Sequence, residues 1–212
     1  MSLCRLANLC GLLSPVLWWT TILTCQAALP AFDPVVMTIS ELAETGSPTA
    51  GVMFGAGFLA TGLLNVGFGA GLYGMLGRTR AAALVGALLV VNGFARIGVG
   101  FSPCEPGCVA TGASDVQARH FLFAALGFAA MIAASAVAAG VLRRRPVPRW
   151  LPPYTLLSML LGAAFIVAMQ AMGEAWRAAG LLERLSSASL TLWMFVLALV
   201  LWRRNACARA PE

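Results

Sequence analysis

Arg96 is the residue in this 212-residue chain whose placement asks most of its surroundings. It stands inside an apolar stretch that ends at Phe101, so a helix carrying it would bury the guanidinium about one and a half turns from a membrane surface. A charge at the centre of a membrane helix costs roughly 2.5 to 3.5 kcal/mol. Reaching toward the surface lowers that cost, and a carboxylate partner lowers it further. Glu41, Asp33 and Asp115 are the candidate partners. Two roles stay open: an arginine that ties an outer loop to the bundle, or a contact for an anion or substrate.

His120 is the single histidine, which excludes a bis-histidine haem and leaves no basis for a His-rich metal site. No metal ligand set and no cofactor is expected. As a general base His120 would need a nucleophile and an orienting group, with Ser114, Asp115, Glu41 and Ser102 as candidate neighbours; as a satisfied interfacial histidine it needs neither. Cys104 and Cys108 enclose Glu105, Pro106 and Gly107, and Pro-Gly favours a tight turn. In an oxidising compartment the pair reads as a local disulfide, worth roughly 2 kcal/mol for so small a ring. A redox-active thiol pair is the alternative, although the spacing is not Cys-x-x-Cys. The chain has no Gly-Lys-Ser/Thr phosphate loop and no Gly-x-Ser-x-Gly elbow.

The elements that must position these residues are membrane helices. Sixty per cent of the residues are hydrophobic and 10% charged, with a mean hydropathy of +0.85, outside the balance of a soluble domain. Apolar runs long enough to cross a hydrocarbon core of about 30 Å lie near 6–29, 50–76, 81–101, 114–142, 154–173 and 186–202. The short gaps leave no room for a soluble domain, so the chain reads as a single transmembrane domain, an all-α bundle of six helices. No Asp or Glu falls in the middle of a span, so the carboxylate of a proton- or cation-coupled transporter is missing.

The basic residues, all arginine, sort by side. Arg5, Arg78, Arg80, Arg143 to Arg145, Arg149, Arg203, Arg204 and Arg209 share one face, which the positive-inside rule makes cytoplasmic. Both termini are then cytoplasmic, in a multi-pass protein of the cell's inner membrane. The other face carries Asp33, Glu41, Glu44, Glu105, Asp115, Glu174 and Glu183 against Arg119, Arg177 and Arg184. The formal charge of +6 is thus a topology signal and not a nucleic-acid footprint. A cleaved signal peptide ending near Gln26 to Ala28 is the competing reading of the first span, but its apolar run is longer than a signal core.

In the first outer loop, Asp33-Pro34 is an N-cap and first-turn pair and predicts a short interfacial helix through Val35 to Glu44. Ser114 and Gln117 form a capping-box pattern before the fourth span. Gly51 with Gly55 and Gly67 with Gly71 lie four apart on one face, which predicts close helix packing.

Ile39-Ser40-Glu41-Leu42, the run Arg96-Ile97-Gly98-Val99-Gly100-Phe101-Ser102-Pro103-Cys104 with Gly107-Cys108, the following His120, and Gly180-Leu181-Leu182-Glu183-Arg184 before Trp193 carry a resemblance. Together they resemble the six-helix bacterial and archaeal membrane family catalogued as domain of unknown function 998. The resemblance covers nearly the whole chain and implies fold and topology; Glu105 fits the acidic position that commonly follows the first cysteine of that motif. It implies no catalytic role. Joined to the charge sorting, it groups Asp33, Glu41, Arg96, Asp115, His120, Glu183 and Arg184 as a candidate outward-facing polar cluster.

Three functions compete. A non-enzymatic protein, in contact with the lipid bilayer, would bind a small molecule, a lipid headgroup or a protein partner at that cluster. An enzyme acting on lipid or an outer-leaflet substrate would use His120 with Glu41 or Asp115 as acid and base and Arg96 as anion clamp. A channel or facilitator would line a path with Asn65, Asn92 and Gln170.

Overall fold

Three hydroxyls set where helices begin. Ser2 Oγ accepts from the Arg5 amide at 3.4 Å, Thr79 Oγ1 from Ala82 at 3.1 Å and Ser114 Oγ from Gln117 at 3.3 Å, each satisfying a first-turn donor that has no partner within its helix. The computed structural model describes residues 2–108 and 114–204. Arg209 and the side chain of Glu174, both used in the charge sorting, fall outside what is described. The six helices are α1 (Leu3–Ala27), α2 (Ala50–Met75), α3 (Arg80–Phe101), α4 (Asp115–Leu142), α5 (Leu151–Trp176) and α6 (Ala179–Arg203). All six are long and apolar enough to cross a membrane, and no strand occurs among the described residues. The chain is an integral membrane protein of the expected all-helical class.

Burial ranks the helices. Over its apolar window α6 is 56% buried and α5 only 17%, so α6 is the central helix and α5 the peripheral one. Leu13, Val16, Leu63, Leu157, Leu160 and Val167 are exposed; on a helix apolar all round, such residues face lipid. Inside, one core gathers around Phe68, Leu72, Leu89, Met131 and Trp193, and a second around Trp18, Ile22, Leu42, Met53, Phe58 and Val99.

The glycine expectation holds in part. A Cβ added at Gly71 would lie 2.4 Å from Ala7 Cβ, and one at Gly67 3.0 Å from Cys10 Sγ, so this pair does seat α2 closely on α1. Gly51 and Gly55 face open space instead. A second close contact, backbone against backbone, joins α2 to α3: a Cβ at Gly69 would sit 2.6 Å from Gly86 O, and one at Gly62 2.7 Å from Gly93 O. These glycines recur at seven-residue spacing on both helices, which keeps them on one seam. Within α2, Met53–Ala60 is wound as a π-helix.

Three connections meet at one end of the bundle and close it. Thr45 N donates to Cys104 O at 2.9 Å, Gly107 N to a Glu44 carboxylate oxygen at 2.7 Å, and Glu105 N to Gln117 Oε1. Cys104 and Cys108 are disulfide-bonded. The short helix expected over Val35 to Glu44 is realised only as a 3-10 turn, Ser40–Ala43. Asp33 does cap, accepting from Val35 N at 2.9 Å, but the Val35 and Val36 carbonyls that would continue a helix accept from Leu181 N and Gly180 N at 2.9 and 3.1 Å. Those two amides are first-turn donors of α6.

The glycine seam gives a direct test. Gly93→Val should lower stability by about 1 to 3 kcal/mol through forced separation of α2 and α3, while Gly51→Ala should stay within about 0.5 kcal/mol of the parent. Thermal unfolding in detergent compares the two, and equal losses would rule out the seam.

Candidate functional site

Trp18 decides how Arg96 is accommodated. Its indole N–H donates to Ser187 Oγ at 3.0 Å, joining α1 to α6, and this turns the ring face toward α3. The Arg96 guanidinium carbon lies 4.0 Å from the centre of that ring, and Nη1 donates to Thr61 Oγ1 at 3.2 Å. Among the described residues no carboxylate forms an ion pair with Arg96, so the expected partners Glu41, Asp33 and Asp115 do not fill that role. A cation over an indole contributes about 0.5 to 2 kcal/mol, more when desolvated, which offsets part of the burial cost. Thr61 donates its own hydroxyl to Gly57 O inside the π-helical segment, leaving its lone pairs for Arg96.

Below Arg96 a polar belt crosses four helices between the two apolar cores. Ser14 Oγ donates to Asn65 Oδ1 at 2.6 Å, Asn65 Nδ2 to Asn92 Oδ1 at 2.8 Å, and Asn92 Nδ2 to Gly127 O at 2.9 Å. Asn65 is fully buried and Asn92 5% exposed. They are spent on one another, and Gln170 is exposed on peripheral α5, so the three do not line a common path.

Glu183 and Arg184, in the first turns of α6, hold the first loop. Glu183, 9% exposed, accepts from Ile39 N at 2.6 Å. Arg184 Nη1 donates to Met37 O at 2.7 Å and Gly180 O at 3.0 Å, with its guanidinium 5.4 Å from the Phe32 ring. Gly180 makes this docking sterically feasible, since a Cβ there would meet Met37 O at 2.1 Å. Glu41 turns inward on its own loop, accepting from the Thr38 amide and, at 2.8 Å, its hydroxyl.

His120, 2% exposed, bridges Ser102 and the loop: Nδ1 lies 2.8 Å from Ser102 O and Nε2 3.1 Å from Ser40 Oγ. A carbonyl only accepts, so in the neutral ring Nδ1 carries the proton and Nε2 accepts from Ser40. Two cavities lie on either side of this pair. One, of about 80 Å³, is lined by Arg96, Trp18, Ser40, Asn92, Glu183 and Ser187 with Phe123 and Phe128. The other, about 300 Å³ and apolar, is lined by Phe54, Phe58, Val99, Pro103 and Gly51 with His120 at its edge. Phe58 and Val99 border both.

Of the residues grouped from the sequence, Arg96 and Glu183 line one cavity, His120 reaches it through Ser40, and Glu41 and Arg184 brace its roof. Asp33 caps a turn and Asp115 is an exposed first-turn residue of α4; neither lines the cavity. Sequence reasoning missed Trp18, Thr61 and Ser187, and carried Ser40 only within the Ile39-Ser40-Glu41-Leu42 motif, with no role of its own. A signal existed for Trp18: two adjacent indoles, Trp18 and Trp19, lie deep in a span where each N–H needs an acceptor. Trp19 finds Thr191 Oγ1 at 3.0 Å.

Comparison with known proteins returns one finding. A family model described as protein of unknown function, DUF998, matches residues 12–200. No curated protein and no solved structure matches the chain.

The Glu183 clasp predicts that Glu183→Ala, which leaves the buried Ile39 amide without its acceptor, lowers stability by about 1 to 3 kcal/mol. Hydrogen exchange of residues 37–43 should quicken accordingly, while Asp115→Asn leaves it unchanged; equal exchange in all three proteins would dismiss the clasp.

Proposed function

The chain belongs to the DUF998 family of proteins of unknown function, so its own side chains are the guide, and we propose that the Arg96 cavity binds the anionic group of a small molecule or lipid headgroup. The observation that carries this reading is the state of the guanidinium. It lines a cavity, its face is held on Trp18, one nitrogen is engaged by Thr61, and among the described residues no carboxylate is bonded to it, Glu183 of the same lining being bonded to Ile39 N. A charge fixed in this way at membrane depth is a binding element for an opposite charge, and a guanidinium supplies several parallel donors suited to carboxylate or phosphate oxygens. The apolar and aromatic lining around a few polar groups is the usual make-up of a small-molecule site.

We further propose that the capped end, bearing the Cys104–Cys108 disulfide, faces outward from the cell's inner membrane and that the arginine-rich end is cytoplasmic. Arginine sorting supports this through the positive-inside rule, and the disulfide is the bond expected of an oxidising compartment. The cavity then lies within reach of outer-leaflet headgroups. The channel reading loses its support, because Asn65 and Asn92 are bonded to each other in the core.

Native mass spectrometry of the gently solubilised protein tests the ligand: an anionic mass should accompany the parent protein and be lost from a folded Arg96→Ala variant. The same mass on both, or none on either, would remove the proposal. For sidedness, a cysteine placed at exposed Thr45 in a background without its other accessible thiols should react with an impermeant maleimide on intact cells, and one at Arg143 only after permeabilisation. The reverse pattern would invert the topology.

A further inference from the structure

We propose that Ser40 and His120 act as nucleophile and general base on an acyl ester of an anionic amphiphile, whose anionic group sits at Arg96 and whose acyl chain occupies the apolar cavity beside Phe54. The anionic half of this statement rests on the Arg96 reading above; the Ser40–His120 half does not.

Three observations point the same way. First, the hydrogen bonds run in catalytic order. Ser40 Oγ lies 3.1 Å from His120 Nε2, and His120 Nδ1 lies 2.8 Å from Ser102 O, so the tautomer that gives Nδ1–H to the carbonyl presents a free Nε2 lone pair to the serine hydroxyl. A nucleophile, a base within hydrogen-bond reach and a third group that orients the base make the recurring arrangement of activated serines. Glu41 is bonded to Thr38 and is no part of it.

Second, the pair stands where the two cavities meet. Ser40 lines the cavity that holds Arg96, His120 lines the apolar one, and Phe58 and Val99 border both. A molecule with an anionic end in the first and a hydrocarbon chain in the second would cross the border at Phe58 and Val99, with Ser40 on the first side and His120 on the second. In an acylated amphiphile, the ester group occupies that junction.

Third, the apolar cavity lies on the side of the bundle where an acyl chain can come from. Gly51 is exposed and a Cβ there would meet nothing within 4 Å. Phe101, packed edge-on against cavity residue Phe54 with ring centres 5.1 Å apart, is 67% exposed. In a membrane-spanning bundle, exposed apolar side chains of this kind face hydrocarbon.

The chemistry closes with water as the only co-reactant. Ser40 Oγ bonds to the ester carbonyl carbon while its proton passes to His120 Nε2. The tetrahedral adduct breaks its bond to the alcohol oxygen, which takes that proton and leaves as the alcohol, and Ser40 remains acylated. Water then gives a proton to Nε2 and bonds to the acyl carbon. The Ser40 oxygen leaves with the returned proton, releasing the carboxylic acid. No group is oxidised or reduced.

A neutral alkyl fluorophosphonate, which labels activated serines without needing an anionic headgroup, tests the pair in the full-length protein in detergent. Labelling should fall on Ser40 by peptide mass, vanish in Ser40→Ala, and slow by about 100-fold or more in His120→Asn, whose amide can still donate to Ser102 O and preserve the fold. The parent should release more fatty acid from phosphatidylglycerol vesicles than from phosphatidylcholine vesicles, and that ratio should fall toward one in Arg96→Gln. An unlabelled parent that remains folded and monodisperse, or a label on another residue, would overturn the proposal. Labelling of Ser40 with no difference between the two vesicle types would leave the pair standing and sink the Arg96 reading alone.

Discussion

A polar group carried into hydrocarbon must find its partner inside the protein, because lipid offers none. That constraint organises this bundle around Arg96. The guanidinium is held by an aromatic face and a threonine hydroxyl instead of by a carboxylate, and each of those partners is itself held. Trp18 is turned by Ser187, and Thr61 by the carbonyl of Gly57 in the π-wound segment of α2. One half-buried charge is therefore tied, directly or through its partners, to α1, α2 and α6 from its place on α3. The Ser14–Asn65–Asn92–Gly127 belt applies the same rule one turn deeper, using neutral amides where the cost of an unmet partner is lower.

The capped end obeys the constraint in another way. Helix α6 begins within the protein, so its first amide donors need acceptors, and the Val35 and Val36 carbonyls supply them. Glu183 and Arg184 complete the exchange by binding Ile39 N and Met37 O. The first loop is thereby folded over the bundle as a roof, which brings Ser40 to His120 and closes the Arg96 cavity from above. A loop serving as the N-terminal cap of a distant helix cannot also form a helix of its own, which is why only the Ser40–Ala43 turn survives from the longer one that Asp33-Pro34 suggests.

Long apolar stretches and one-sided arginines made the membrane helices legible, because crossing hydrocarbon demands length and low charge whatever the packing. The Ser114 cap and the Cys104–Cys108 bond were also legible, since both are local. Gly67 and Gly71 were read as a packing face and are one, whereas Gly51 and Gly55 carry the same spacing and touch nothing. Spacing says which residues share a face, not what lies opposite. The backbone seam of Gly62 and Gly69 against Gly86 and Gly93 depends on two helices at once.

The sequence by itself determined that this chain forms six helices long and apolar enough to cross a membrane, and only suggested which polar residues share one end, because hydropathy, charge sorting and local capping act along the chain. Only the tertiary structure decided what those residues touch. Arg96 met Trp18 instead of a carboxylate, His120 met Ser40 instead of Glu41 or Asp115, and Asp33 and Asp115 were left outside the cavity. The reason is physical: Ser40 and His120 lie 80 residues apart in the chain and Trp18 and Arg96 nearly as far, and contacts between separate helices are set by rotation and depth in the bundle, which no local pattern encodes.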